Sequence, residues 1–463
     1  MNAAVFDIGK TNKKLFLFDE QYRIVWEKSE QFAEVPDEDG DLCEDLSRLT
    51  DWVTRSLAEV MALPQFTVKA VNFSTYGASF VYIDQNGQPL GPLYNYLKAY
   101  PASLQQQFFN QYGAEHELTR QTASPSLGSL NSGLQLYRIK YEQPELIAKL
   151  AYALHLPQYV SHLISGRPVS ELTSIGCHTM LWNFDRQWYH RWVTEEKLDA
   201  YLAPIVPSDS VYPATVGAMP VQVGAGLHDS SSAMIPYLAS FGEGNDPGSF
   251  VLLSTGTWCI SMNPFNNTPL TAEELQYDCL SYIHYKGQPV KSARLFAGYE
   301  HEQQVKHLAE HFQVPVDQYT RVAYQPDLIH QLQQQGHQVT TPADARGDQL
   351  LSMKGSLFGQ RNLADFATYD EAYHQLMLDI VAQQLISTNL VLAGSPVTRL
   401  FVDGGFSKNP IYMNLLATAF PEIDVYAASV AQASALGAAL AIHAHWNTQP
   451  IPQNCVELKK YAL

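Results

Sequence analysis

Two segments of this sequence repeat one strand–turn–strand pattern, and no other feature constrains the fold as strongly. Residues 4–19 read AVFDIGKTNKKLFLFD, and residues 250–265 read FVLLSTGTWCISMNPF. In each segment an apolar run meets a turn containing glycine and threonine, and a second apolar run follows. One such segment opens each half of the chain. This arrangement predicts a duplicated α/β unit with a ligand cleft between the two halves.

The length of the chain and one glycine-rich stretch indicate where the halves meet. A chain of 463 residues exceeds the usual size of a single core, so two or more domains are expected. Residues 239–250, ASFGEGNDPGSF, contain three glycines and a proline between apolar runs, which is typical of a linker. We therefore predict domains at residues 1–240 and 241–463.

Composition excludes several classes of partner. The net charge of −17 disfavours binding to nucleic acid and to anionic membranes, so a phosphate ligand needs a local pocket. Five scattered cysteines predict a reducing compartment rather than a disulfide framework. The sequence contains no apolar run of 18 residues, and it enters a strand without a signal-like segment. A cytoplasmic location is the expectation.

Local patterns predict further elements around the two hairpins. Apolar spacing of three and four residues indicates helices, and alternation bounded by turn residues indicates strands. The predicted elements are a strand at 22–30, a helix at 41–62, a strand at 68–77, a hairpin at 80–91 turned by Asn86-Gly87, mostly helix at 131–164, a strand–Gly-Gly–helix unit at 399–420 and a small-residue helix at 434–446.

The first turn has the chemistry of a phosphate-binding loop. Its glycine exposes backbone N–H groups, and the residues that follow it add hydroxyl, amide and ammonium donors: Lys10, Thr11, Asn12 and Lys13. Asp7 ends the preceding strand, where it can hold Mg²⁺ directly or through water. The chain contains neither GxxxxGK[ST] nor GxGxxG, which excludes the common P-loop. On this segment alone an ordinary polar turn is an equally good interpretation.

Two turns in the second half strengthen the nucleotide interpretation. Gly256 and Thr257 form the turn of the repeated hairpin, and Gly404-Gly405 follows a strand and precedes a helix that starts near Asn409. Glycines at a strand-to-helix turn allow a ligand to approach the backbone, and a helix N-terminus favours anions. Together the three turns predict a nucleotide site assembled from both halves.

The segment GLHDSSSA contains the best candidate for chemistry. Asp229 follows His228 in a turn rich in small residues, after a strand-like stretch. Phosphoryl transfer to an alcohol needs one carboxylate that orients the hydroxyl and accepts its proton. A carboxylate that merely caps the following helix is an equally good interpretation of this spacing.

Six segments, in one order, resemble the FGGY family of carbohydrate kinases over almost the whole chain. They include DIGKTN, STYGASFVYIDQNGQPLGPLYNY, GLHDSSSA, LSTGTWCIS and VDGGFSKNPIYMNLLA, together with the helical stretch LNSGLQLYRI to LWNFDRQWY. The TYG and GTW motifs are most similar to rhamnulokinases and fuculokinase-like members. The resemblance implies an α/β fold of two actin/hexokinase/Hsp70-like (ribonuclease H-like) domains with a central cleft.

The resemblance also implies an activity and a set of roles. It implies MgATP-dependent phosphorylation of a ketose. The expected ketose is a 6-deoxyketohexose such as L-rhamnulose or L-fuculose, and xylulose or a polyol is the alternative. A homodimer is compatible with these expectations. Asp229 would be the catalytic base and Asp7 would lie near Mg²⁺. The remaining roles are sugar contacts (Tyr76, Gly77, His228, Ser230), phosphate contacts (Lys10, Thr11, Asn12, Lys13, Gly256, Thr257) and adenosine contacts (Gly404, Gly405, Asn409).

The chain departs from the family pattern in two places. Many members carry an acidic residue and an arginine after the sugar-side hairpin, where this chain has Lys98 and Tyr100. The segment at 292–304, SARLFAGYEHEQQ, lacks the asparagine expected of rhamnulokinases. Both departures bear on which sugar is bound.

Two other functions compete with the kinase interpretation. Residues 307–311, HLAEH, match the HxxEH pattern of a zinc hydrolase, although an amphipathic surface helix explains five such letters more easily. A non-catalytic or ATPase-only protein of the actin-like fold is the second alternative, against which the sugar-side segments and His228-Asp229 argue.

Overall fold

Two seven-stranded sheets organise the computed structural model, which describes residues 1–241, 248–334, 357–452 and 455–461. The first sheet contains β1 (Asn2–Ile8), β2 (Lys13–Phe18), β3 (Ile24–Glu30), β4 (Val68–Thr75), β5 (Val211–Val216), β6 (Met219–Gly224) and β7 (Leu227–His228). β1 pairs antiparallel with β2 and parallel with β4, and β7 runs parallel to β4. The carboxyl ends of these three parallel strands therefore meet at one edge.

The second sheet repeats this arrangement. Its strands are β8 (Phe250–Thr255), β9 (Cys259–Asn263), β10 (Cys279–Ile283), β11 (Pro289–Leu295), β12 (Arg399–Gly404), β13 (Asp424–Ser429) and β14 (Glu457–Tyr461). The opening strand β8 again pairs antiparallel with the next strand and parallel with a later one, β12. The duplicated unit predicted from the two hairpins is thus present in the strand pairing.

Helices cover both sheets. They are α1 (Leu46–Met61), α2 (Ala102–Tyr112), α3 (Glu115–Gln121), α4 (Ser132–Glu142), α5 (Pro144–Ile147), α6 (Leu156–Ser165), α7 (Leu172–Ile175), α8 (Arg191–Glu195), α9 (Asp229–Phe241), α10 (Ala272–Gln276), α11 (Ala297–Phe312), α12 (Pro326–Gln334), α13 (Tyr369–Leu392), α14 (Pro410–Ala419) and α15 (Ala433–Ala441). No helix in the described ranges is both long enough and apolar enough to cross a bilayer.

The first helix shows how the sequence pattern and the structure differ at a boundary. The apolar stripe predicted for it is buried in α1, but the helix begins at Leu46 rather than at residue 41. Asp45 caps it by accepting a hydrogen bond from the Arg48 amide. The preceding Leu42–Cys43 pairs instead with Val35–Pro36 as a short ribbon.

The predicted hairpin at 80–91 is only half formed. Its turn is present, since Gly87 donates a backbone hydrogen bond to Asp84 and has a φ of 78°. The strand Phe80–Ile83 takes Tyr152–His155 as its main partner, and the returning arm contributes one bridge. That partner strand also interrupts the stretch at 131–164, which was predicted to be mostly helical. The local sequence pattern did not indicate this pairing, because the two strands are far apart in the chain.

The last helix, α15, returns to the first sheet. Its small residues pack against β1, β4 and α9. Asn72, buried within β4, donates to the Ala438 carbonyl and accepts from the Gly226 amide. A Cβ on Gly437 would lie 1.8 Å from the Ser232 carbonyl oxygen, so only glycine allows this approach. The C-terminal half therefore contributes a helix to the N-terminal half.

The boundary between residues 240 and 241 stays a prediction. Helix α9 continues to Phe241, and residues 242–247 of the predicted linker lie outside the described residues.

Candidate active site

Asp229 lies at the edge where the parallel strands of the first sheet end, as the first residue of α9. Its Oδ1 accepts a hydrogen bond from the Ser230 amide at 2.6 Å and from the Ser230 hydroxyl at 3.2 Å. The side chain is 37% exposed and faces the space between the two sheets. Burial raises the pKa of this carboxyl group to about 6, against the lowering effect of the two Ser230 hydrogen bonds.

His228 lies behind Asp229 and positions it. Its Nε2 is 3.3 Å from the Asp229 Oδ1 and 3.2 Å from the Cys177 sulfur. Burial lowers the pKa of His228 to about 4, so the ring is neutral and its Nε2–H can donate to the carboxylate. Gly77 packs against this ring, because a Cβ there would lie 2.6 Å from the His228 Cδ2. Both residues support the carboxylate from the protein side.

We expect Gly77→Ala to lower kcat by about tenfold or more, since a displaced ring shifts Asp229 and small misplacements are costly in catalysis. Steady-state kinetics would check this. Gly91→Ala is the matched control, because a Cβ there meets its nearest atom at 3.5 Å, an ordinary contact. Equal kcat values for the two variants would contradict the supporting role.

Asp7 lies beside Asp229 at the same edge. It is the next-to-last residue of β1, and its Oδ1 accepts a hydrogen bond from the Ser434 hydroxyl, at 3.0 Å, across the two halves of the chain. Burial raises the pKa of Asp7 to about 6, with a further contribution from the nearby Asp229 charge. Two carboxylates at one edge repel each other, and oxygen ligands of this kind suit Mg²⁺.

Only part of the phosphate-binding set predicted for the first turn is exposed. Thr11 and Asn12 are exposed at its tip, and the Gly9 amide donates to the Asn12 carbonyl at 2.9 Å. The Lys10 ammonium is 2.6 Å from the Glu34 carboxylate. The Thr11 hydroxyl and the Asn12 amide are therefore exposed at this turn, and the Lys10 ammonium lies beside them in an ion pair with Glu34.

Lys13 and Tyr76 lie beneath that turn rather than on it. The Lys13 ammonium is 2.7 Å from the Glu44 carboxylate, and their side chains are only 1% and 4% exposed. It also donates to the Lys10 carbonyl. The buried Tyr76 hydroxyl donates to Glu44 at 3.4 Å. This ion pair stabilises the turn from below, and it keeps the Lys13 charge away from the exposed part of the turn.

The second turn and the Gly-Gly turn are joined through Thr255. Its hydroxyl donates to the Asp403 carbonyl at 2.6 Å and accepts from the Phe406 amide at 3.0 Å, while its carbonyl accepts from the Gly405 amide. Gly404 has a φ of 92°, and a Cβ there would lie 1.9 Å from the Thr255 carbonyl oxygen. The glycine pair thus brings the two turns into backbone contact.

Two cavities border these joined turns. The first, of about 340 Å³, lies between Asp229 and the second sheet and includes Ser254 and Asp403 in its lining. The second, of about 510 Å³, lies on the other side, where Gly256, Gly405 and the aromatic side chains of Tyr319 and Phe406 line it. Ser254 and Thr255, at the end of β8, therefore border the first and the second cavity respectively, and Asp403 and Gly405 do the same at and just after the end of β12.

Asn409 borders the second cavity as a helix cap. Its Oδ1 accepts from the Ile411 and Tyr412 amides at the start of α14, and its Nδ2 donates to the Tyr373 hydroxyl at 2.8 Å. Thr257 is exposed in the second turn, and its carbonyl accepts from the Tyr299 amide. Asn409 therefore shapes the cavity wall with its Oδ1 and one N–H of its Nδ2 already engaged.

Several residues of the site escape the sequence patterns. Asp403 faces the first cavity, where its Oδ2 accepts from the Tyr237 hydroxyl at 2.8 Å. Ser434 contacts Asp7 from the far end of the chain. Gly298 allows α11 to meet the second turn, because a Cβ there would lie 1.8 Å from the Gly256 carbonyl oxygen. Of these three residues, only Gly298 has a sequence signal, because a glycine within a helical pattern indicates a close backbone approach.

Lys98 and Tyr100, which stand where many family members carry an acidic residue and an arginine, make local contacts. The Lys98 ammonium is within 3.2 Å of three carboxylates, those of Asp37, Asp39 and Asp41, which hold its pKa above its ordinary value. The Tyr100 hydroxyl donates to the Leu134 carbonyl. Lys98 therefore has its charge paired locally.

The geometry gives the zinc-hydrolase alternative no support. His307, Glu310 and His311 are exposed on α11. Within the described ranges, the one group of three or more potential metal ligands is the aspartate trio around Lys98. An amphipathic surface helix accounts for the HxxEH pattern.

Both halves of the chain match known sugar-kinase domains. Residues 3–235 match the N-terminal domain of the FGGY family of carbohydrate kinases, and residues 247–450 match the C-terminal FGGY carbohydrate kinase domain. A rhamnulokinase from Mannheimia succiniciproducens is 24% identical over 170 residues, which are 36% of this chain and 35% of that enzyme. The match thus spans about a third of the relative's length.

Solved structures share the fold over nearly the whole chain. A carbohydrate kinase from Novosphingobium aromaticivorans aligns over 99% of this chain and 94% of its own, at 24% identity and a TM-score of 0.79. A ligand-bound xylulose kinase from Lactobacillus acidophilus aligns over 100% and 93%, at 13% identity and 0.75. A Plasmodium falciparum glycerol kinase with ADP aligns over 96% and 90%, at 14% identity and 0.70. The predicted two-domain actin/hexokinase-like fold is confirmed.

Proposed function

Because the chain belongs to the FGGY family of carbohydrate kinases, we propose that it transfers the γ-phosphoryl group of ATP to a hydroxyl group of a ketose, with Asp229 as the catalytic base. The observation that carries this proposal is that the two cavities border the same pair of joined turns. Ser254 and Asp403 line the cavity beside Asp229, and their neighbours Gly256 and Gly405 line the second cavity. A nucleotide bound in the second cavity can thus extend its phosphates over the turns towards Asp229.

Asp229 has the position and protonation state that the reaction needs. As the sugar oxygen forms its bond to the γ-phosphorus, the bond from phosphorus to the β,γ-bridging oxygen breaks and ADP leaves. The sugar hydroxyl proton passes to the Asp229 carboxylate. His228 and Ser230 hold the Oδ1 of that carboxylate, which leaves Oδ2 for the hydroxyl.

The phosphate contacts in this proposal come from both turns. Thr11, Asn12 and Lys10 approach from the first turn, and Gly256 and Thr257 from the second. Gly404, Gly405 and Asn409 border the adenosine. Lys13 is left out of the phosphate set, because Glu44 neutralises its buried ammonium.

Asp7 fits the site of a divalent cation. Its carboxylate is partly buried beside Asp229. Its pKa is raised to about 6, and a nearby positive charge would stabilise its ionised form. Mg²⁺ bound there would neutralise charge on the β- and γ-phosphates. Ser434 orients Asp7 through its hydrogen bond to Oδ1.

The proposed acceptor is a 6-deoxyketohexose such as L-rhamnulose or L-fuculose. The Thr75-Tyr76-Gly77 and Gly256-Thr257-Trp258 motifs support it, as does the partial similarity to a rhamnulokinase. Xylulose is the second candidate, favoured by the fold-level similarity to xylulose kinases.

A panel of ketoses, aldoses and polyols in a coupled ADP-release assay would test the acceptor. We expect the highest kcat/KM with a 6-deoxyketohexose. Turnover with glycerol or an aldose alone would contradict the ketose assignment. ATP turnover that is independent of every sugar would favour the ATPase alternative.

The pH dependence should follow the ionisation of Asp229. A base acts in its deprotonated form, and a pKa raised to about 6 means that this form is lost as the pH falls through 6. We expect kcat/KM to fall at least about tenfold between pH 7 and pH 5, because Asp7 titrates in the same range. A profile that stays flat down to pH 5 would contradict the assignment.

A further inference from the structure

His301 stands at the aromatic end of the second cavity, on α11. The rings of Tyr319 and Phe406 meet its ring edge-on, at centroid distances of 5.0 and 5.3 Å. Burial lowers the pKa of His301 to about 4, so the imidazole is neutral near pH 7 and carries one proton. The nitrogen that holds this proton decides what the side chain offers to a ligand.

A chain of hydrogen bonds determines that nitrogen. The Asn409 Oδ1 accepts from the Ile411 and Tyr412 amides, which fixes the orientation of the amide group. The Asn409 Nδ2 therefore donates to the Tyr373 hydroxyl at 2.8 Å. Within the described part of the chain, the other partner of that hydroxyl is the His301 Nε2 at 3.0 Å. The Tyr373 proton points to Nε2, so Nε2 is an acceptor and Nδ1 carries the imidazole proton.

The Nδ1–H of His301 is available to a ligand. It makes no hydrogen bond to a residue that the structure describes, and it is not among the fully enclosed polar atoms that lack a partner. His301 lines the second cavity, and this donor has no partner among the described residues, so a ligand in the cavity can accept from it. The cavity thus combines two aromatic walls with one oriented N–H group.

We propose that His301 recognises the base of the nucleotide, with its Nδ1–H donating to an acceptor nitrogen of the purine ring, and that Tyr373 is the positioning residue that keeps the proton on Nδ1. This inference rests on the proposed function, because it requires a purine nucleotide in the second cavity. The relay couples the capping residue of α14 to base recognition: Asn409 acts on the base through Tyr373 and His301.

Calorimetric titration with ADP, and with ADP analogues in which a ring nitrogen is replaced by CH (1-deaza, 3-deaza and 7-deaza), tests the inference. In the wild type we expect one of the three analogues to bind about five- to tenfold more weakly than ADP, as loss of one hydrogen bond predicts. In His301→Phe, ADP should be weakened by a similar factor and that analogue should lose its disadvantage. Such non-additivity is not expected of a purely structural residue.

Tyr373→Phe and Tyr369→Phe form a matched pair. Tyr369 lies on the same helix, and its ring stacks on Tyr373 at 6.1 Å, but its hydroxyl is outside the relay. We expect Tyr373→Phe to weaken ADP about threefold or more, and Tyr369→Phe to leave ADP affinity and the KM for sugar unchanged.

The outcomes separate the inference from the proposed function. Wild-type protein that binds no ADP would overturn both. Binding of ADP and all three analogues with equal affinity would overturn the recognition by His301 alone. That comparison uses the wild type, so it can overturn the inference even where a variant fails to fold.

Discussion

Asp229→Asn should lower kcat by at least about a hundredfold and leave the affinities for sugar and MgATP nearly unchanged. The amide has the size of the carboxylate and keeps an acceptor for the Ser230 amide, but it cannot take the hydroxyl proton. Folding stability should not fall. The folded state raises the Asp229 pKa to about 6, so ionisation at higher pH costs stability, and the neutral amide avoids that cost.

The helix-cap interpretation predicts a different result for kcat. Asparagine caps helices as well as aspartate does, so a capping role alone would leave both activity and stability intact. Asp317→Asn is a suitable control, since that carboxylate is exposed in a pair with Arg321. A variant at 229 that keeps more than about a tenth of the wild-type kcat would exclude Asp229 as the base.

Gly404→Ala should lower the free energy of unfolding by about 2–4 kcal/mol and weaken nucleotide binding. The backbone there has a φ of 92°, which strains any L side chain, and the new Cβ would lie 1.9 Å from the Thr255 carbonyl oxygen. To make room the two joined turns must separate. Urea unfolding, with ADP titration on the same samples, measures both effects.

Gly405→Ala is the matched control for stability. A Cβ at this adjacent position would meet its nearest atom, the Thr255 carbonyl oxygen, at 3.9 Å, and its backbone φ of −63° suits any residue. We expect its free energy of unfolding to stay within about 1 kcal/mol of the wild type. Equal losses in the two variants would show that close packing of the turns is not what position 404 provides.

Most of the fold could be predicted from local sequence patterns. The two hairpins were predictable because strand alternation and turn residues lie within about 16 consecutive positions. The turn that carries Asp229 was recognisable for the same reason, although the choice between a base and a cap required its surroundings. Those surroundings are His228 and Ser230 beside it and a cavity in front of it.

What the sequence did not reveal depends on partners far apart in the chain. The sequence suggests Lys13 as a phosphate ligand, but in the structure its ammonium forms a buried ion pair with Glu44, 31 residues later. Ser434 reaches Asp7 over 427 positions, and the packing of α15 on the first sheet depends on Asn72. Such pairs leave no periodic signal, because each follows from how two sheets and their helices come together.

The most direct measurement of the central claim is the stoichiometry of the reaction. Wild-type protein is incubated with ATP, Mg²⁺ and the best ketose of the panel, and ADP and sugar phosphate are quantified by mass spectrometry. The account predicts equal amounts of the two products, negligible ADP without sugar, and neither product above background with Asp229→Asn. ADP formation at the same rate without sugar, or ADP without sugar phosphate, would contradict it.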